Sequence, residues 1–146
     1  MSKRLAGKRV IVTQASTFMG PAITEVFDEE GAVVVADERD LSQTGAAQDL
    51  IDEAGQVDVL IANLAATPPW SSVADTTDEL WSEMFDAMVH PLHRLVRAVL
   101  PQMIERRQGK IIVMGSISAR RGMPDRSAYS AARGAQLSYV QAVGVE

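Results

Sequence analysis

The chain has 146 residues, 47% hydrophobic and 23% charged, which excludes a disordered tail and a coiled coil. No apolar run is long enough to span a bilayer, and no charged-then-apolar leader precedes a small-residue cleavage site, so a cytoplasmic, membrane-free setting is expected. The lack of cysteine excludes disulfide, thiolate and cysteine–zinc chemistry, and a net charge of −5 has the wrong sign for a nucleic-acid reader.

Short β-branched runs alternate with longer amphipathic segments. Arg9–Thr13 reads as a first strand, buried because its centre is continuously apolar. Gly20 and Pro21 open a helix through Glu30, with proline at a tolerated first-turn position and Gly31 just past the end. Val33–Asp37 reads as the second strand, 44–54 as a helix closed by Gly55, and 57–62 as the next strand. From about 78 to 107 the pattern is helical, and Pro91 is expected to kink or break it. A further buried strand is expected at 110–114 and a helix at 127–146. Repeated strand–helix units predict an α/β fold, a doubly wound parallel sheet, as one domain over 1–146 that ends inside its last helix. Such sheets bind ligands beyond the carboxyl ends of their strands. The segments to inspect are therefore 13–20, Asp37, 63–69 and 115–129.

The first strand–helix turn reads Thr13-Gln14-Ala15-Ser16-Thr17-Phe18-Met19-Gly20. It resembles the nucleotide-binding turn of the short-chain dehydrogenase/reductase family, T-G-x-x-x-G-x-G, of which Thr13 and Gly20 remain. Gln14 and Phe18 stand where glycines would allow a tight turn and bring backbone amides against a pyrophosphate. That exchange argues against a dinucleotide. Between Asp37 and Asp58 the chain has room for one helix, where the family fits an additional helix and strand. Asp37 stands where the family places an acid that binds the adenine ribose. Without the neighbouring wall, it reads here as a solvated strand-end acid.

Ser116 is followed thirteen positions later by Tyr129 and four beyond that by Arg133. The family has serine, tyrosine and lysine at these positions, the tyrosine being its acid/base. Four-residue spacing puts Tyr129 and Arg133 on one helix face, roughly 5–6 Å apart at Cβ. A fixed cation within about 4–6 Å of a phenol favours the phenolate, and arginine keeps its charge permanently. Ser118 is the competing serine, and the family spacing selects Ser116. Asn63 belongs to a strand end resembling D-V-L-V-N-N-A-G and is expected to bond neighbouring strand backbones. Met88 falls where the family carries a relay asparagine. His90 and His93 lack a metal-ligand partner set, so no metal is expected. Pro68, Pro69 and Trp70 either line a pocket or pack their loop.

The two spacings T-x4-F-x-G and S-x12-Y-x3-R together resemble the halohydrin dehalogenase branch of this superfamily. The resemblance implies a Rossmann-like fold, incomplete at its carboxyl end, and no nicotinamide or other cofactor. It also implies that Ser116 bonds the substrate oxygen and that phenolate Tyr129, stabilised by Arg133, takes the hydroxyl proton of a vicinal haloalcohol. The alkoxide would then expel halide to give an epoxide, and halide or another small anion would reverse the step. A substrate and halide pocket is implied at Thr13, Phe18, Asn63, Pro68 and Trp70, in a homo-oligomer such as a tetramer. The alternatives are an NAD(P)-dependent short-chain oxidoreductase with an atypical turn, and a non-catalytic scaffold on this fold.

Overall fold

The computed structural model describes residues 3–146. In chain order the elements are β1 (Arg9–Thr13), α1 (Gly20–Glu29), β2 (Val33–Asp37), α2 (Ala46–Ala54), β3 (Val59–Ala62), α3 (Asp78–Arg106), β4 (Lys110–Val113) and α4 (Ser127–Val143), with a 3-10 turn at Ile117–Ala119. The four strands form one parallel sheet in the order β2-β1-β3-β4. The crossover through α1 sets β2 on one side of β1, and the crossover through α2 returns the chain to the other side. The winding therefore reverses between β1 and β3, and the turn after β1 opens at that reversal.

Strand side chains alternate between the two faces. Val10, Val12, Val59 and Ile61 pack with Ile23 and Phe27 of α1. Ile11, Leu60 and Ala62 pack with Leu50 and Ile51 of α2 and with Leu92, Leu95 and Val99 of α3. The interval between β2 and β3 holds α2 alone, so β2 is a sheet edge and Val33 is exposed. The last strand departs from expectation for the same reason. β4 alternates exposed and half-buried residues because it has a strand neighbour on one side only among the described residues.

Helix α3 runs for 29 residues through Pro91 and Pro101, so Pro91 does not break it. Each interior proline costs about 3 kcal/mol. Met84, Met88, Leu92, Leu95, Val96, Val99 and Met103 are buried along one face, and each fully buried apolar side chain contributes roughly 1.5–3 kcal/mol, which offsets that cost. Thr77 caps the start by accepting the Leu80 N–H at 3.2 Å, and Arg107, at φ 52°, ends the helix. Long as α3 is, no helix among the described residues is long and apolar enough to cross a membrane.

Just before β3, buried Asp58 accepts the Arg9 backbone N–H at 3.0 Å, with Arg106 Nη1 at 3.5 Å and Lys8 Nζ at 3.8 Å. The Arg9 hydrogen bond, helped by the two cations, holds its carboxyl below the usual carboxylate range. A depressed folded pKa contributes stability above the unfolded value, near 3.9, that is lost as pH falls through the folded value. Asp58→Asn is expected to lower stability by about 1–3 kcal/mol at pH 7. Urea midpoints for parent and variant should converge as the pH drops below about 4. A gap that persists undiminished at pH 3 would show that the ionised carboxylate is not its source.

Candidate functional site

After β1 the chain turns through residues 14–19 into α1. Gln14 sits at φ 45° and Phe18 at φ 51°, so both former glycine positions keep a left-handed backbone. That conformation costs a residue with a side chain roughly 1–2 kcal/mol. Bonds from distant residues hold it in place. Asn63 Nδ2 donates to the Gln14 carbonyl at 3.0 Å and to the Thr17 carbonyl at 3.1 Å. The Gln14 carboxamide accepts the Ala65 N–H at 3.0 Å and donates to the Ala65 carbonyl at 3.3 Å. At Gly20 a Cβ would collide with the carbonyl oxygens of Gln14 and Ala15, which requires glycine there.

Several expectations for this turn are corrected. Gln14 does not prevent the turn but helps tie it to the segment after β3. Asn63, 1% exposed, bonds the turn rather than strand backbones, and Thr13 is fully buried with its hydroxyl 3.5 Å from the Ile61 carbonyl. Neither lines an open pocket. Phe18 is 53% exposed and belongs to no apolar cluster.

Asp37 is buried rather than solvated. Burial pushes its carboxyl above the usual range, against the pull of the Arg39 guanidinium on Oδ1. Its other oxygen, Oδ2, is buried without a hydrogen-bond partner among the described residues. Arg39 also pairs with Glu53 at 2.8 Å.

At the carboxyl ends of β3 and β4, the Tyr129 hydroxyl accepts a hydrogen bond from Arg133 Nε at 3.0 Å. Arg133 is 5% exposed and serves more than the tyrosine. Its Nη1 lies 3.0 Å from the Leu64 carbonyl, 2.8 Å from the Met114 carbonyl and 2.9 Å from Gln136 Oε1. Gln136 Nε2 in turn donates to the Met88 carbonyl at 2.9 Å. The sequence reasoning missed Gln136; its one signal was a polar side chain three positions after Arg133 on a packed helix. Ser116 and Ser118 are now distinguished. Ser118 is buried, with its hydroxyl 3.0 Å from Met123 Sδ, whereas Ser116 is half-buried and donates to Ser118 Oγ at 3.2 Å.

Pro68 and Pro69 line a small cavity with Leu80 and Tyr129. Trp70 is exposed, with the Arg126 guanidinium 3.9 Å above its ring. His90 bonds Asp86 at 2.8 Å and His93 bonds Tyr139 at 3.2 Å. No cluster of three potential metal ligands occurs among the described residues.

Residues 6–146 match the model of the short chain dehydrogenase family. The human dehydrogenase/reductase SDR family member 4 is 29% identical over 97% of this chain and 61% of its own length. The Vibrio harveyi 3-oxoacyl-[acyl-carrier-protein] reductase is 27% identical over 97% of this chain and 68% of its own. The chain thus spans about three fifths of the length of that human relative. A gluconate 5-dehydrogenase from Burkholderia cenocepacia, solved with NADP and tartrate, shares the fold with a TM-score of 0.84 at 22% identity, over 92% of this chain and 64% of that one. The two curated relatives are a dehydrogenase/reductase and a reductase, which overturns the reading of a cofactor-independent haloalcohol lyase drawn from two short spacings. The physical basis of that reading also fails, because the turn keeps its glycine-type backbone without the glycines. By its sheet order, its turn and this match over nearly its whole length, the chain belongs to the short chain dehydrogenase family.

Proposed function

We propose that these residues perform the chemistry of an NAD(P)-dependent oxidoreductase acting on a small carbonyl compound or alcohol. The observation that carries the proposal is the turn after β1, where Gln14 and Phe18 are held at φ 45° and 51° by Asn63 and by contacts to Ala65. In this turn the Phe18 and Met19 amides have no partner among the described residues and lead directly into α1, which suits a pyrophosphate. Ser16 N–H and Oγ are taken by Glu38, and the Ala15, Thr17 and Gly20 amides by backbone carbonyls. The unpartnered Oδ2 of Asp37 is an acceptor suited to a ribose hydroxyl. The residues present therefore fit the group: the Phe18 and Met19 amides at the start of α1 would hold the pyrophosphate and Asp37 the ribose. When bound, the dinucleotide supplies or accepts the hydride.

The rest falls to the chain's own side chains. The Tyr129 hydroxyl gives a proton to, or takes one from, the substrate oxygen. Arg133 Nε–H, 3.0 Å from that hydroxyl, orients it and balances the charge that develops when the proton leaves. The Ser116 hydroxyl, which donates to Ser118 Oγ in this structure, turns to donate its hydrogen bond to the same substrate oxygen. Arginine cannot release its proton, so the lysine relay of the family is replaced here by a fixed cation tied through Gln136 to the Met88 carbonyl. A cysteine-free chain suits a reducing cytoplasm, and a homo-oligomer is retained as part of the proposal.

Calorimetric titration with NADH and NADPH tests the proposal. Saturable binding is expected, tightened several-fold by Phe18→Gly, because glycine takes the left-handed conformation without strain. No saturation by either dinucleotide at millimolar concentration, weaker than about −4 kcal/mol, would overturn it.

A further inference from the structure

Beside Tyr129, the loop after β3 meets the loop before α4 at a contact to which the proton-transfer chemistry assigns no role. The Arg126 guanidinium lies 3.9 Å above the Trp70 ring and 5.8 Å from the Tyr129 ring. It has no carboxylate within ion-pair distance and no side-chain hydrogen bond among the described residues, and its Nε is buried without a partner. Arg39, by contrast, is paired with two carboxylates.

The backbone that carries this cation is fastened on both sides. Ser71 and Arg126 form an isolated parallel bridge, and Ser71 N–H donates to the Asp125 carbonyl at 3.1 Å. Thr76 Oγ1 and Ser127 Oγ lie 3.1 Å apart. Asp125 adopts φ 53°, which shapes the turn leading into Arg126. The backbone at Arg126 is therefore fixed, and the side chain rests against the Trp70 ring. A partly desolvated cation with unused donors is costly until an acceptor arrives. With one face of the guanidinium covered by Trp70, its N–H edge remains to meet a planar anion in two parallel hydrogen bonds.

We propose that Arg126, stacked on Trp70, anchors a carboxylate of the substrate, so that the substrates are small oxo or hydroxy carboxylic acids whose reacting oxygen meets Tyr129. The proposal rests on the oxidoreductase reading of Tyr129. Arg126 binds and orients; the proton still moves at the Tyr129 hydroxyl.

The test uses 2-oxobutanoate and its uncharged counterpart butanone as probes, titrated into the whole chain by calorimetry and followed by tryptophan fluorescence. Saturable binding of 2-oxobutanoate is expected, weakened at least tenfold by Arg126→Gln and only partly recovered in Arg126→Lys, which keeps the charge but not the planar fork. Butanone binding should respond to neither change. Equal affinity of parent and Arg126→Gln for 2-oxobutanoate would overturn the proposal, and so would failure of the parent to bind it. NADH titrations run in parallel separate the two readings. Loss of the oxo acid with NADH binding unchanged supports the anchor. An oxo acid that still depends on Arg126 in a protein that never binds NADH supports the anchor and removes the oxidoreductase.

Discussion

Tyr129→Phe is expected to lower NADH-dependent reduction of a small carbonyl compound by roughly 10²–10⁴-fold, the usual contribution of a positioned acid or base. The variant loses only the hydroxyl that accepts from Arg133 Nε at 3.0 Å. Its ring stays packed with Met84, Met88, Ala128 and Ala132, so the fold and the binding of NADH should be unaltered. The loss should fall on kcat, with KM little changed, because in the proposed reaction the hydroxyl acts at the proton-transfer step. Activity within a few-fold of the parent would move the acid/base to another group.

The largest effect on stability is expected at Arg133. Arg133→Met would leave the Leu64 and Met114 carbonyls and Gln136 Oε1 without their donor, in a site that is 5% exposed. Each buried acceptor left unmade costs about 1–3 kcal/mol, while removing a buried cation returns part of its desolvation cost. A net loss of about 2–4 kcal/mol follows, read as a lower urea midpoint. Arg133→Lys should fall between, since a compact ammonium cannot reach Tyr129 and both strand ends in one plane. Stability equal to the parent in Arg133→Met would show that the guanidinium serves Tyr129 alone.

What was legible beforehand follows from the range over which each feature is determined. Arg9–Thr13 and Val33–Asp37 lie where the sequence pattern places strands, and Gly55 closes α2 as expected, because apolar periodicity and helix-stop residues act over a few neighbours. The pairing of Tyr129 with Arg133 was equally local, one helical turn apart. The spacings around Gly20 and Ser116 identified the superfamily for the same reason. They misjudged the chemistry because side-chain identity at 14 and 18 was taken to determine the backbone there.

The tertiary structure decided what depends on partners far along the chain. Asn63 and Ala65, about fifty residues away, impose on Gln14 and Phe18 a conformation that their own preferences disfavour. The sheet order left β4 half-exposed although three of its four residues are apolar. Packing of one buried face carried α3 through Pro91 against its local propensity. Burial set Asp37 and Ser118 apart from the solvated loop groups they resemble in sequence. By itself the sequence determined the elements and the family, since both rest on short-range pattern. The turn, the Gln136 link and the Arg126–Trp70 contact came only from the fold, since each is held by hydrogen bonds or packing between segments distant in the chain.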